Sequence, residues 1–142
     1  MPPPNQPFIT LLMVIATALI QLGMQVALDR LKLPRALKRV APAIQRSVIT
    51  IMAIVVLMMG HLTEVAVWAV RYWTWGELGD FASSFYFSLS SFTTVGANEL
   101  ELSRHHRMVG SIESALGMLM FGWSTALLVA FIQKVEQLHR RK

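Results

Sequence analysis

The sequence predicts an all-α membrane protein with three transmembrane helices and a short re-entrant helix between the second and third. Three observations lead there. Hydrophobic residues make up 54% of the chain and charged ones only 15%, a balance that soluble domains of this length do not have. The apolar residues gather into three runs, Phe8–Leu28, Val48–Val70 and Met108–Ile132. Each is at or above the roughly 20 residues needed to cross a hydrocarbon core. A fourth apolar run, Phe81–Phe92, is too short to cross and fits a re-entrant helix of about three turns.

The first run is read as a retained helix. Met1 to Pro7 carries no basic side chain, and no small-residue cleavage site follows, so the pattern of a signal peptide is missing. The second and third runs are rich in Val and Ile, yet a backbone inside a bilayer must satisfy its own hydrogen bonds, which makes both helical. Asp80 stands just before Phe81, where its carboxylate can cap the free N–H groups of the short helix.

Charge sets the orientation. The loop after the first helix holds Arg30, Lys32, Arg35, Lys38, Arg39 and Arg46 against Asp29, and the tail holds Lys134, Arg140, Arg141 and Lys142 against Glu136. The segment between the second and third helices mixes Arg71, Arg104 and Arg107 with Glu77, Asp80, Glu99 and Glu101. The positive-inside rule places the basic loop and the C-terminus in the cytoplasm and the N-terminus and residues 71–107 outside, in a multi-pass protein of the cell membrane. The net charge of +5 is thereby read as topology and contact with anionic lipid on the cytoplasmic side, with no nucleic acid as partner. Residues 29–46 are read as an interfacial segment on the inner leaflet. Trp68, Tyr72, Trp73 and Trp75 are read as an interfacial aromatic belt at the outer end of the second helix.

Thr93-Thr94-Val95-Gly96-Ala97-Asn98 follows the short helix directly. Gly96 has no Cβ and Asn98 tolerates positive φ, so alternation of these with ordinary residues turns successive carbonyls to one side. Four such loops around an axis form stacked rings of carbonyl oxygens that replace the hydration shell of a monovalent cation, with the negative end of the short helix aimed at the same axis. One chain supplies one loop, so the reading requires three further copies, a homotetramer. No cysteine or paired nucleophile is present, so the chain is read as no enzyme, with no cofactor and no metal site, and with monovalent cations as the permeant species.

These residues resemble the potassium-channel superfamily of two transmembrane helices flanking a pore loop, here with an extra N-terminal helix. The family's filter reads Thr-Val-Gly-Tyr-Gly, usually followed by Asp; the matching run is Thr94-Val95-Gly96-Ala97-Asn98-Glu99, preceded by Thr93. The resemblance covers roughly residues 48–135 and divides the chain into an N-terminal helix and basic loop at 1–47, a pore domain at 48–135 and a basic tail at 136–142. It implies that Thr93 to Asn98 form the selectivity filter. It also implies that Tyr86, Phe87 and Ser90 support it from the pore helix, and that Gly117 and Gly122 lie near the inner-helix hinge and a second glycine below it. Ala97 and Asn98 depart from the pattern. Without the tyrosine ring the outer sites lose their lateral packing, which predicts a cation pathway with relaxed potassium selectivity. The same two residues leave open a second reading, a non-conducting relative that assembles with or regulates another membrane protein.

Glu99 and Glu101 are read as the outer mouth, attracting cations, and the resemblance implies that Glu99, at the family's aspartate position, accepts a bond from Tyr86. His61, Glu64 and Glu113 are ionisable groups within spans, where they face protein or water. Two readings stand for them: a buried polar network tying the helices to the back of the pore loop, with hydroxyls from Ser88, Ser90, Ser91 and Thr93, or a gate or pH sensor. Gln21 and Gln25 suggest that the first helix contacts protein, either its own chain or a neighbour.

Overall fold

Apolar runs in hydrocarbon have only their own backbone to bond with, and the computed structural model resolves them as four α-helices. It describes residues 6–31, 40–97 and 99–140. Helix α1 spans Gln6–Arg30, α2 Pro42–Thr74, α3 Phe81–Phe92 and α4 Arg107–Arg140. Three of these, α1, α2 and α4, are long and apolar enough to cross a membrane, and the chain is a multi-pass membrane protein. The 12-residue α3 is the expected short helix. No strand occurs among the described residues.

Local chemistry sets the boundaries. Pro42 opens α2 in the first turn, where a missing N–H leaves no bond unmade. Asp80 caps α3 as the sequence predicts, its carboxylate accepting from the Ser83 N–H at 2.6 Å. Helix α4 runs eight residues beyond Ile132, so the basic tail from residue 136 continues as helix to Arg140. Of the segment 29–46, expected at the interface, residues 32–39 lie outside the described residues, while Asp29 and Arg30 end α1 and residues 42–46 open α2.

Two apolar clusters hold the helices. One surrounds α3: Val65, Trp68 and Tyr72 of α2, Phe87 and Phe92 of α3, Leu102 of the following loop, and Val109, Leu116 and Met120 of α4. The other, at the far end, joins Met24 and Leu28 of α1 to Ala53 and Leu57 of α2 and Phe131 and Val135 of α4. Helix α1 therefore packs on the α2 and α4 of its own chain. Gln21 is fully buried and donates to Ser124 Oγ at 3.0 Å, which gives the expected protein contact its partner.

The aromatic-belt reading fails for two of its residues. Trp73 is half exposed, but Trp68 and Tyr72 have no exposed surface. Val65, Trp68 and Tyr72 recur at three- and four-residue spacing, so they share one face of α2, and that face points inward.

Candidate functional site

Helix α3 buries Ser84, Phe87, Ser88 and Ser91, a stripe with helical spacing, against α2 and α4. Tyr86 lies off that stripe and is 55% exposed, while Phe87 packs edge-on against Tyr72 with ring centroids 5.2 Å apart. Of the two expected aromatic supports, Phe87 is in the core and Tyr86 faces away from it. No hydrogen bond joins Glu99 to Tyr86 among the described residues, and both side chains are exposed. The expected clamp fails within one chain because the buried stripe turns Tyr86 outward.

The chain leaves α3 through a left-handed turn. Thr93 is the C-cap, and Thr94 follows at φ 62° with its N–H bonded to the Ser91 carbonyl at 2.9 Å. This is the geometry in which helices commonly end, though glycine usually occupies the left-handed position. A β-branched residue there is strained by roughly 1–3 kcal/mol. Val95 returns to negative φ and Gly96 is left-handed again at φ 81°. The Gly96 N–H reaches back to the Ser90 carbonyl at 3.1 Å, anchoring the loop to the last turn of α3. Thr93 Oγ1 donates to the Leu89 carbonyl at 2.7 Å.

The residue types predict left-handed positions at Gly96 and Asn98. The structure has them at Thr94 and Gly96, and Asn98 lies outside the described residues. Threonine carries no sequence signal for this conformation; the demand comes from ending α3 and from the Ser91 and Ser90 carbonyls. Val95 is 80% exposed, whereas Ala97 packs partly against the core. Gly96, Ala97, Phe87, Ser91 and Ser114 contribute to an open hollow of about 390 Å³ beside the loop.

Behind the loop lies a buried polar network. Glu113 of α4 has no exposed surface; its Oε2 accepts from the Tyr72 hydroxyl at 2.6 Å and its Oε1 lies 2.5 Å from Ser88 Oγ. Ser88 Oγ also lies 2.9 Å from the Val65 carbonyl. His61 Nδ1 and Glu64 Oε2 are 2.8 Å apart on α2, and the His61 ring packs on Phe121 and Phe92 with centroids 4.6 and 5.9 Å away. The geometry thus joins Glu113, Ser88 and Tyr72 in one network and keeps His61 and Glu64 as a separate pair. Tyr72 is the member that sequence reasoning missed; its i, i+4 relation to Trp68 was the available signal. Gly117 lies where α4 touches the end of α3, whereas Gly122 has open surroundings.

A second cluster braces the loop that leads to α4. Glu77 accepts from the Ser103 N–H at 2.6 Å and from its hydroxyl at 2.9 Å, and bonds His106 Nδ1 at 2.6 Å. The His106 ring stacks on Trp75 at 4.2 Å, and the Arg71 guanidinium lies 4.4 Å over Trp75. Partial burial pushes the Glu77 carboxyl up, but the Ser103 N–H, His106 and the Ser103 hydroxyl outweigh it and hold it below its ordinary 4.5. A carboxyl lowered on folding stabilises above its unfolded value and loses that contribution as pH falls through the folded one. Glu77→Gln is therefore expected to lower the melting temperature of the detergent-solubilised protein at about pH 6, with the gap to the parent closing below about pH 4.5. A gap that persists unchanged in acid would show that the bonds to Glu77 contribute nothing through its charge.

Glu99 is exposed and without an ion-pair partner among the described residues, whereas Glu101 pairs with Arg107 at 2.9 Å. A family model described as an ion channel matches residues 48–134, which takes in α3, the loop after it and most of α2 and α4. No curated protein matches the chain. No solved structure matches it either.

Proposed function

Because this chain belongs to the ion-channel family that its residues 48–134 match, we propose that it passes monovalent cations down their electrochemical gradient through the Thr93–Asn98 loop. The observation that carries this reading is the backbone of that loop. Left-handed residues at Thr94 and Gly96, with Val95 between them, alternate the sign of φ along the loop, the pattern by which successive carbonyls would turn toward one side. The bond from Gly96 to the Ser90 carbonyl holds that arrangement on the negative end of α3. Four copies of the loop around one axis complete the rings, with each chain contributing its pore helix and loop. Tyr86, Val95 and Met108, at 55%, 80% and 74% exposure in the single chain, supply apolar surface that a neighbouring copy covers.

Potassium and sodium both permeate in this reading. Ala97 leaves the hollow beside the loop unfilled, so no ring braces the outer carbonyls at fixed spacing. At the mouth, Arg107 offsets the charge of Glu101, so attraction of cations rests on Glu99. Arg30, Arg46 and Lys134 lie at the end remote from the loop, which supports a cytoplasmic C-terminus, an outer N-terminus and anionic lipid around the basic end.

The test is flux from liposomes containing the purified chain, under a potassium gradient and then a sodium gradient. Both ions are expected to pass. Gly96→Ala is expected to lower both fluxes at least about tenfold, because strain of roughly 1–3 kcal/mol at a left-handed non-glycine residue is enough to reshape the loop. Potassium flux with sodium excluded would overturn relaxed selectivity. Absence of both fluxes, persisting in Ala97→Tyr/Asn98→Gly, would favour a non-conducting regulatory role.

A further inference from the structure

The carboxyl of Glu113, on α4, bonds α2 through Tyr72 and α3 through Ser88, and the hydrogen atoms of this network can be counted. Tyr72 has one hydroxyl proton and one acceptor within reach, Glu113 Oε2 at 2.6 Å. Ser88 also has one proton, but its oxygen lies within bonding distance of two acceptors, Glu113 Oε1 at 2.5 Å and the Val65 carbonyl at 2.9 Å. If Glu113 were ionised, Ser88 could donate to only one of them, and the other contact would set two lone pairs against each other. A proton on Glu113 Oε1 removes the conflict. Oε1–H then donates to Ser88, Ser88 donates to Val65, and Tyr72 donates to Oε2, so every close contact is a hydrogen bond.

The surroundings agree. Glu113 is fully buried within a membrane-spanning helix, and it takes part in none of the ion pairs formed among the described residues. No cation on the elements packed around it pairs with it among the described residues. Helix α3 has no charged residue from Phe81 to Phe92, and α1 has none before Asp29. On α2 the ionisable neighbours are Tyr72 itself, Arg71, whose guanidinium lies 4.4 Å over the Trp75 ring, and the His61–Glu64 pair, which bond each other at 2.8 Å. On α4, Arg107 is engaged with Glu101. A carboxylate without a cationic partner in such a site is costly, whereas a neutral acid with both oxygens bonded is not.

We propose that Glu113 is a neutral carboxylic acid whose proton completes the hydrogen-bond chain to Ser88 and Val65, and that its ionisation unlocks the pore helix α3 from α2. When the proton leaves to water, Ser88 turns its own proton to the carboxylate and the bond to Val65 is lost. Ser88 lies two residues before Ser90, whose carbonyl holds Gly96, so the loosened turn is the one that anchors the loop. Glu113 is thus a positioning residue that acts through Ser88. Its link to conduction rests on the proposed channel function; its protonation does not.

Infrared spectra of the full chain in liposomes decide the protonation. The difference between the parent and Glu113→Gln at neutral pH is expected to contain the carbonyl band of a protonated carboxylic acid, converting to carboxylate bands on alkaline titration. Glu64, the other carboxyl in α2–α4 without exposed surface, is present in both samples and cancels. Amide exchange read by mass spectrometry over Phe81–Phe92 is expected to quicken in the parent at the same alkaline pH and to stay slow in Glu113→Gln, whose amide retains one donor and one acceptor. Carboxylate bands already present at neutral pH, or equal exchange in the two proteins across the titration, would overturn the proposal. Should Glu113→Gln fail to fold, Tyr72→Phe serves, since it removes a donor that favours the ionised form. The carboxyl is then expected to ionise at higher pH, and an unmoved titration would sink the idea. Neither readout depends on ion flux, so both report on Glu113 even in a chain that passes no ions.

Discussion

Gly117→Ala is expected to displace the pore helix and to lower cation flux at least about tenfold, with a marked fall in melting temperature. A Cβ at Gly117 would run into the Phe92 carbonyl oxygen and stand 2.9 Å from its carbon and 3.1 Å from the Phe92 Cα. These are backbone atoms, so no side-chain rotation relieves the clash, and α4 must withdraw from α3. Phe92 is fully buried between His61 and Phe121 and directly precedes Thr93. The disturbance therefore enters where the loop begins. Overpacking of this kind costs typically about 1–3 kcal/mol, more where the neighbour is backbone. Gly122→Ala is the matched control: nothing lies within 4 Å of its Cβ position, and alanine is the better helix former by about 1 kcal/mol. Thermal melts and liposome flux of the two variants should diverge. Equal behaviour would mean that the α3–α4 contact at Gly117 is dispensable.

Trp68→Ala is expected to cost about 3–5 kcal/mol. Trp68 has no exposed surface, belongs to the cluster around α3, and donates through Nε1 to Thr17 Oγ1 of α1 at 3.0 Å. Its removal opens a cavity between α1 and the family-matched region and strands the Thr17 hydroxyl without its donor. Trp68→Phe keeps most of the packing and forgoes the hydrogen bond, for which about 1 kcal/mol is expected. Melting temperatures in detergent distinguish the two, with alanine well below phenylalanine and phenylalanine slightly below the parent. An alanine variant that melts with the parent would show that the burial of Trp68 adds nothing to stability.

The architecture was legible because a bilayer leaves a chain few options. Runs such as Phe8–Leu28 must be helical to satisfy their own backbone, and Phe81–Phe92 is too short to cross, so three spans and a short helix follow from counting residues. The cap at Asp80 was legible for a similar reason, since it depends on residues a single turn apart. Burial of Glu113 and Glu64 also followed from composition, because ionisable groups in a span turn toward protein.

Tertiary structure alone decided which polar groups meet. Tyr72 and Glu113 are 41 residues apart, and only the rotation and approach of α2 and α4 bring them to 2.6 Å. The same rotation turned Trp68 and Tyr72 from an expected interfacial belt into core, turned Tyr86 away from it, and brought Glu77 to His106 across 29 residues. At Thr94, two carbonyls of the preceding helix impose a left-handed backbone on a residue that would not choose it. Periodicity and hydropathy are local quantities and determine elements. Contacts between elements depend on how stripes with the same spacing dock, and many rotations satisfy the local pattern until side chains such as Trp68 and close approaches such as that at Gly117 select one.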